Sequence, residues 1–139
     1  MEGILTYKGS VQTWECDSNR HMNVMYYINK FEQAGRNCSF EFGVTKDLLS
    51  SSNLGIAVVE QNITYKRELF EDDLVYVKSR PISYTDKVIS FRHEMYLASE
   101  NALSSIMEVK LVFFNLAERK SVSIPQKVKS NVEGFLSEV

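Results

Sequence analysis

Three features of this 139-residue chain predict an α+β domain, with one long helix laid against one antiparallel sheet. An amphipathic stretch in the first third has a period of three and four residues. Four strand-like segments follow it. Compact polar turns separate those segments, and connections that short imply antiparallel neighbours.

Gly9 to Trp14 alternates weakly, contains β-favouring residues and reads as a first strand. From Val24 to Phe42 the positions Val24, Tyr27, Ile28, Phe31, Ala34, Gly35, Cys38 and Phe42 form an apolar stripe. Lys30, Glu32, Gln33, Arg36 and Asn37 fall mainly between them, which predicts a helix of roughly five turns. Gly43 is its stop signal. Gly35, inside the stripe, costs about 1 kcal/mol against alanine, so a close contact with another element is expected there. Lys46 to Asn53 reads as a short helix ending in a Ser-rich turn.

The strands read Gly55 to Tyr65, Leu74 to Ser83, Lys87 to Ala98 and Leu103 to Asn115. Glu71-Asp72-Asp73, Thr85-Asp86 and Ser99-Glu100-Asn101 are the turns between them. Ser121 onward supplies a last short strand and then a modest helix from Pro125, a residue tolerated in a first helical turn. Both faces of the strand Val109 to Phe114 carry apolar groups, so something must cover the outer face or edge. A second copy of the chain is the simplest cover.

The length suits a single domain spanning residues 1–139. Its 44% apolar and 24% charged residues are ordinary for a globular protein. A formal net charge of -2 argues against general nucleic-acid binding, which needs a basic field. Cys16 and Cys38 have no metal-site or disulfide spacing and read as free thiols of a reducing compartment. Met1 to Tyr7 lacks the basic start and apolar run of a signal peptide. No stretch is apolar for the length of a membrane span. The expectation is a cytoplasmic protein with neither membrane nor nucleic acid as partner.

Function points to Asp17-Ser18-Asn19-Arg20-His21-Met22-Asn23, directly ahead of the long helix. The loop places a carboxylate, amides and an imidazole beside a helix N-terminus. There the free N–H groups near Asn23, Val24 and Met25 favour developing negative charge. Nucleophilic chemistry needs an attacking oxygen, a donor for the developing negative charge and a place for a proton. Asp17 can supply the first, directly or through water. His21 can carry a proton near neutral pH, and His21 or Asn19 can orient a water. Each has a plainer role: Asp17 and Asn23 as capping or turn residues, Asn19 as a loop builder, His21 as a backbone hydrogen-bonder. Cys16 is rejected as a nucleophile, because the adjoining Asp17 raises its pKa. His93, mid-strand in Phe91-Arg92-His93-Glu94-Met95, reads as a sheet-surface residue. No metal site is expected.

The loop Asp17-x-Asn19-x-His21-x-Asn23-x-x-x-Tyr27-Ile28 resembles the D-x-N-x-H-x-N pattern of acyl-acyl carrier protein thioesterases. It is also similar to the D-x-x-x-H-x-N form of acyl-CoA thioesterases of the 4-hydroxybenzoyl-CoA thioesterase type. Tyr65-Lys66-Arg67-Glu68-Leu69-Phe70-Glu71-Asp72-Asp73-Leu74 is similar to a strand-and-turn element of both groups. The resemblance implies a hotdog fold, one helix wrapped by a curved antiparallel sheet. It further implies a homodimer or homotetramer with active sites at the subunit interface. Asp17 would be the essential carboxylate, with Asn19, His21 and Glu68 assisting as in the carrier-protein group. Coenzyme A enters as part of the substrate, with no cofactor. Its phosphates would meet cations such as Lys66 and Arg67, although a solvated strand face also explains those residues.

The reading is therefore an acyl-CoA thioesterase. Three alternatives stand beside it: an acyl-acyl carrier protein thioesterase, a hotdog hydratase and a non-catalytic acyl-thioester-binding domain. The hydratase pattern places its histidine one residue further on, after a proline this chain lacks.

Overall fold

In a computed structural model, described here for residues 3–138, the chain runs in the predicted order. Strand β1 spans Ile4–Ser10, helix α1 Val24–Glu41 and the short helix α2 Lys46–Ser51. Then come β2 (Leu54–Tyr65), β3 (Leu74–Tyr84), β4 (Val88–Leu97), β5 (Ala102–Asn115), β6 (Ser121–Val122) and α3 (Gln126–Ser137). One antiparallel sheet has the order β1-β3-β4-β5-β2, with β6 added to β5.

Helix α1 presents Tyr27, Phe31, Ala34 and Cys38 to the sheet face formed by Val75, Val77, Phe91 and Met95, all buried. Asn23 caps its start and Gly43, at φ +100°, ends it in a conformation that favours glycine. Helix α3 closes the far end of the core. Val128 and Val132 are fully buried, and Asn131 Nδ2 donates to the Phe42 carbonyl at 3.0 Å. A long helix held in a curved antiparallel sheet is the hotdog arrangement.

Several expectations need correction. The first strand lies earlier than Gly9 to Trp14, because Gly3 is already against Ser79 of β3 and Thr13–Glu15 turns as a short 3-10 segment. Strands β2 and β3 are not neighbours. Residues 66–73 form a crossover that carries the chain past the start of α1, and β2 pairs with β5 at the opposite edge. Lys30 is not solvated. It stands three residues after Tyr27 and four before Ala34 and is only 2% exposed. Its ammonium donates to both Glu15 carboxylate oxygens at 2.9 Å.

His93 is also buried, at 1% exposure, because it is in phase with Ile89, Phe91, Met95 and Leu97 on the inner face of β4. Gly35 faces it with room to spare, since an added Cβ would stand 3.9 Å from His93 Nε2. The tight glycines are Gly9, where a Cβ would run into the Tyr7 side chain, and Gly55, where it would come within 2.8 Å of the Phe114 ring. Phe114 also lies under the Arg119 guanidinium at 5.0 Å. The chain thus shields part of the outer apolar face itself. Apolar side chains remain exposed on α1 (Met25, Ile28, Phe40) and on β2 (Val58, Val59).

Candidate active site

Between the 3-10 turn and α1 the backbone folds back on itself. Asp17 N–H donates to the His21 carbonyl and Arg20 N–H to the Asp17 carbonyl. Arg20 takes a left-handed φ of +64° to close the turn. The loop is pinned twice. Met22 N–H donates to the Leu69 carbonyl of the crossover at 2.8 Å, and Asn23 N–H donates to the Glu15 carbonyl at 2.8 Å. Buried Met22 and Leu69 side chains hold the first contact, and the Lys30–Glu15 ion pair holds the second.

That pinning sets the side chains in a row. Asn23 Nδ2 donates to Asp17 Oδ2 at 3.0 Å, and the Asn19 backbone N–H donates to Oδ1 at 2.9 Å. His21 Nε2 is 3.8 Å from Asp17 Oδ1, while its Nδ1 is 2.9 Å from Glu68 Oε1. The Asn23 amide first, and the Asn19 N–H second, hold the Asp17 carboxyl below its ordinary pKa of 3.8. The result is a fully ionised carboxylate at neutral pH beside an imidazole braced by a second carboxylate.

The helix start resolves into distinct roles. The Asn23 N–H is used by Glu15, and the Met25 N–H donates to Asn23 Oδ1 at 3.0 Å. The Val24 N–H has no partner among the described residues. It is the N–H of the three available for an anion, with the helix dipole behind it.

The crossover brings Glu68 to this loop, against His21. Arg67 is engaged elsewhere, donating to both Glu100 carboxylate oxygens at 2.9 and 3.0 Å. Lys66 is exposed and has no ion-pair partner among the described residues. Asn19 contributes its backbone, since its side chain makes no hydrogen bond among the described residues. Cys16 fits its rejection: burial first, then the carboxylates of Glu71, Asp17 and Glu15, push its thiol pKa up. Glu60 points outward and pairs with Lys110 at 3.4 Å. No group of three or more His, Cys, Asp or Glu is placed to hold a metal among the described residues, and no described helix is long and apolar enough to cross a membrane.

Glu15 and Lys30 are the site's unforeseen supports. The helical phase of Lys30 with Tyr27 and Ala34 was the available signal. The distant Glu15 left none.

A family model for the thioesterase-like superfamily matches residues 11–132. No curated protein matches the chain. Among solved structures, the fold is similar to that of the Staphylococcus aureus protein SAV2348 in complex with CoA. That pair has a TM-score of 0.88 at 20% identity, over 99% of this chain and 87% of that one. It is also similar to Slr0204, a 1,4-dihydroxy-2-naphthoyl-CoA thioesterase from Synechocystis, with a TM-score of 0.81 at 16% identity over 92% and 94% of the two chains. A third is YbaW, a probable thioesterase from Escherichia coli, with a TM-score of 0.79 at 18% identity over 93% and 96%. With a family match running from just after β1 into α3, this chain belongs to the thioesterase-like superfamily.

Proposed function

We propose that this protein is an acyl-CoA thioesterase that hydrolyses its substrate to a carboxylate and free coenzyme A, with Asp17 as the reacting carboxylate. The observation that carries the reading is the Asp17 carboxylate, held ionised by Asn23 and Asn19 beside the unpartnered Val24 N–H. A thioester carbonyl seated at Val24 N–H has its oxyanion stabilised as the tetrahedral centre forms. Asp17 attacks the carbonyl carbon directly, or draws a proton from a water that attacks it. Collapse breaks the C–S bond and the thiolate leaves, to be protonated as free thiol. In the direct route the acyl–Asp17 anhydride is then cleaved by water. His21, braced by Glu68, is the proton carrier next to both events. Lys66, unlike Arg67, is free to meet a phosphate of coenzyme A.

Membership of the superfamily and the likeness to a CoA-bound structure support this substrate class. A carrier-protein thioester is the second reading. The His21–Glu68 contact favours it, since the resembling carrier-protein group uses both positions. The protein would work in the cytoplasm as a homodimer or homotetramer. The free edge of β2, with exposed Val58 and Val59, suits pairing with a second copy, and Met25, Ile28 and Phe40 of α1 are further exposed apolar groups.

Free-thiol release from a panel of acyl-CoAs and the matching acyl carrier proteins tests the proposal. Turnover of acyl-CoAs supports it, turnover of carrier-protein substrates alone selects the second reading, and binding without release of thiol overturns both.

A further inference from the structure

Lys30 and Glu15 are two charges that the packing of the core does not require. They are 2% and 6% exposed, and the Lys30 ammonium donates to both Glu15 carboxylate oxygens at 2.9 Å. Taking two charges out of water offsets much of their attraction, and exchange of such a pair for apolar residues is often neutral or stabilising. An apolar residue at position 30 would extend the buried stripe of Tyr27, Phe31, Ala34 and Cys38. Stability therefore gives no reason for charge here.

Geometry supplies one. Lys30 follows Asn23 by seven residues, two turns along one face of α1. Helical side chains lean toward the helix start, so the ammonium reaches back to the segment that precedes its own helix. There the Glu15 carboxylate also accepts from the Gln12 N–H at 2.9 Å, and the Tyr7 ring of β1 lies 5.8 Å from the ammonium. β1, the 3-10 turn and α1 thus meet at one ion pair. The Glu15 carbonyl accepts from the Asn23 N–H at 2.8 Å, and the Asn23 amide donates to Asp17 Oδ2 at 3.0 Å. Contacts run without a break from Lys30 to Glu15, from Glu15 to Asn23 and from Asn23 to Asp17. The other groups against the Asp17 carboxylate are the Asn19 N–H and His21. Neither bonds to Glu15 or Lys30 among the described residues.

We propose that Lys30 and Glu15 are positioning residues for the reaction of Asp17, fixing Asn23 where its amide orients the Asp17 carboxylate. The proposal deepens the thioesterase reading above and rests on it for the reacting group. The pair acts on the chemical step and not on affinity. A carboxylate turned out of place lets the thioester bind as before and reacts with it more slowly.

The test separates the geometry of the pair from its stability. Lys30→Met leaves Glu15 charged and unpaired. Lys30→Met combined with Glu15→Gln removes both charges and keeps an oxygen for the Gln12 N–H, so the double variant should melt above the single one and close to wild type. Both, measured as folded protein, should lose between about tenfold and 100-fold in kcat, with KM within about twofold of wild type. In both, the Asp17 carboxyl followed by ¹³C NMR should titrate nearer 3.8 than in wild type, because the Asn23 amide is the first cause of its lowered pKa. Should the double variant not fold, Glu15→Gln alone, which conserves size, is read by the same two measurements. Wild-type kcat and wild-type Asp17 titration in the folded variants overturn the proposal and leave the thioesterase reading standing. The titration needs no turnover. A shifted titration in the variants of a protein that hydrolyses no thioester supports the positioning of Asp17 and overturns the thioesterase reading instead.

Discussion

The two histidines of this chain occupy opposite kinds of surroundings. His21 is half-buried on a loop, one ring nitrogen on Glu68 and the other turned toward Asp17. His93 is sealed between α1 and β4, its Nδ1 on Ser79, with the rings of Phe31 and Phe91 each 6.3 Å away. Carboxylates and water around the first suit it to carrying protons. Around the second, burial among hydroxyl and aromatic neighbours opposes charge. The same contrast separates the carboxylates. Glu15 is locked to Lys30 in the interior, whereas Asp17 is held by neutral donors and left open to a reactant. Polar groups in the interior set geometry here, and those at the helix mouth are the ones proposed to do chemistry.

That division is broken most severely by removing one half of a buried pair. Lys30→Met leaves Glu15 charged and unpaired, and urea unfolding should show a loss of about 3–5 kcal/mol. Activity of the remaining folded protein should fall as well, because the pair holds the Glu15 end of the Asp17 loop. His93 gives the next largest effect, through pH. Between pH 6.5 and about 4 the unfolded chain binds a proton at this position that the folded chain refuses. Folding stability therefore declines as pH drops through that window, by about 3 kcal/mol in all. A melting series from pH 7 to 4 should show the decline in wild type and a flatter course in His93→Gln.

His21→Ala sharpens the comparison from the other side. It should lower kcat about 100-fold and leave the urea midpoint almost unchanged, since the ring makes only partly exposed contacts. Asn23→Ala has the smallest effect and touches both regions. Loss of the cap costs about 1 kcal/mol. Asp17 meanwhile loses the stronger of the two donors that lower its pKa, so the acid limb of the pH–rate profile should move up toward 3.8. Because the Asp17 pKa is lowered in the fold, its own contribution to stability is present above 3.8 and is lost only below it. The two pH windows, of Asp17 and His93, do not overlap.

How much of this was legible in the sequence follows from the range of each interaction. Helix α1, its Asn23 start and its Gly43 stop are local, and they stand within a residue of their expected places. The hairpins β3–β4 and β4–β5 are local as well. The β2–β5 pairing is not, because it joins segments on either side of a whole hairpin, and a polar turn at residues 71–73 imitates a hairpin that does not form. Within the site, the row from Asn23 through Asp17 to His21 is written in seven residues. Glu68 reaches it across 47 positions by way of the crossover, and only the resemblance pointed there. The polarity of His93 suggests the sheet surface and masks the alternation in which it sits. Period-two phase, with Phe91 and Met95 as neighbours, places it inside.

The Asp17 carboxylate is the centre of the proposed chemistry. Replacing Asp17 by Asn keeps the size and a hydrogen-bonding oxygen and removes the charge. The decisive measurement is single-turnover thiol release by wild type and Asp17→Asn, on whichever acyl thioester the wild type hydrolyses fastest, with melting temperatures compared in parallel. The expected result is a fall of at least about 100-fold in the chemical step, on a fold that melts within a few degrees of wild type. Equal rates for the two proteins would contradict it.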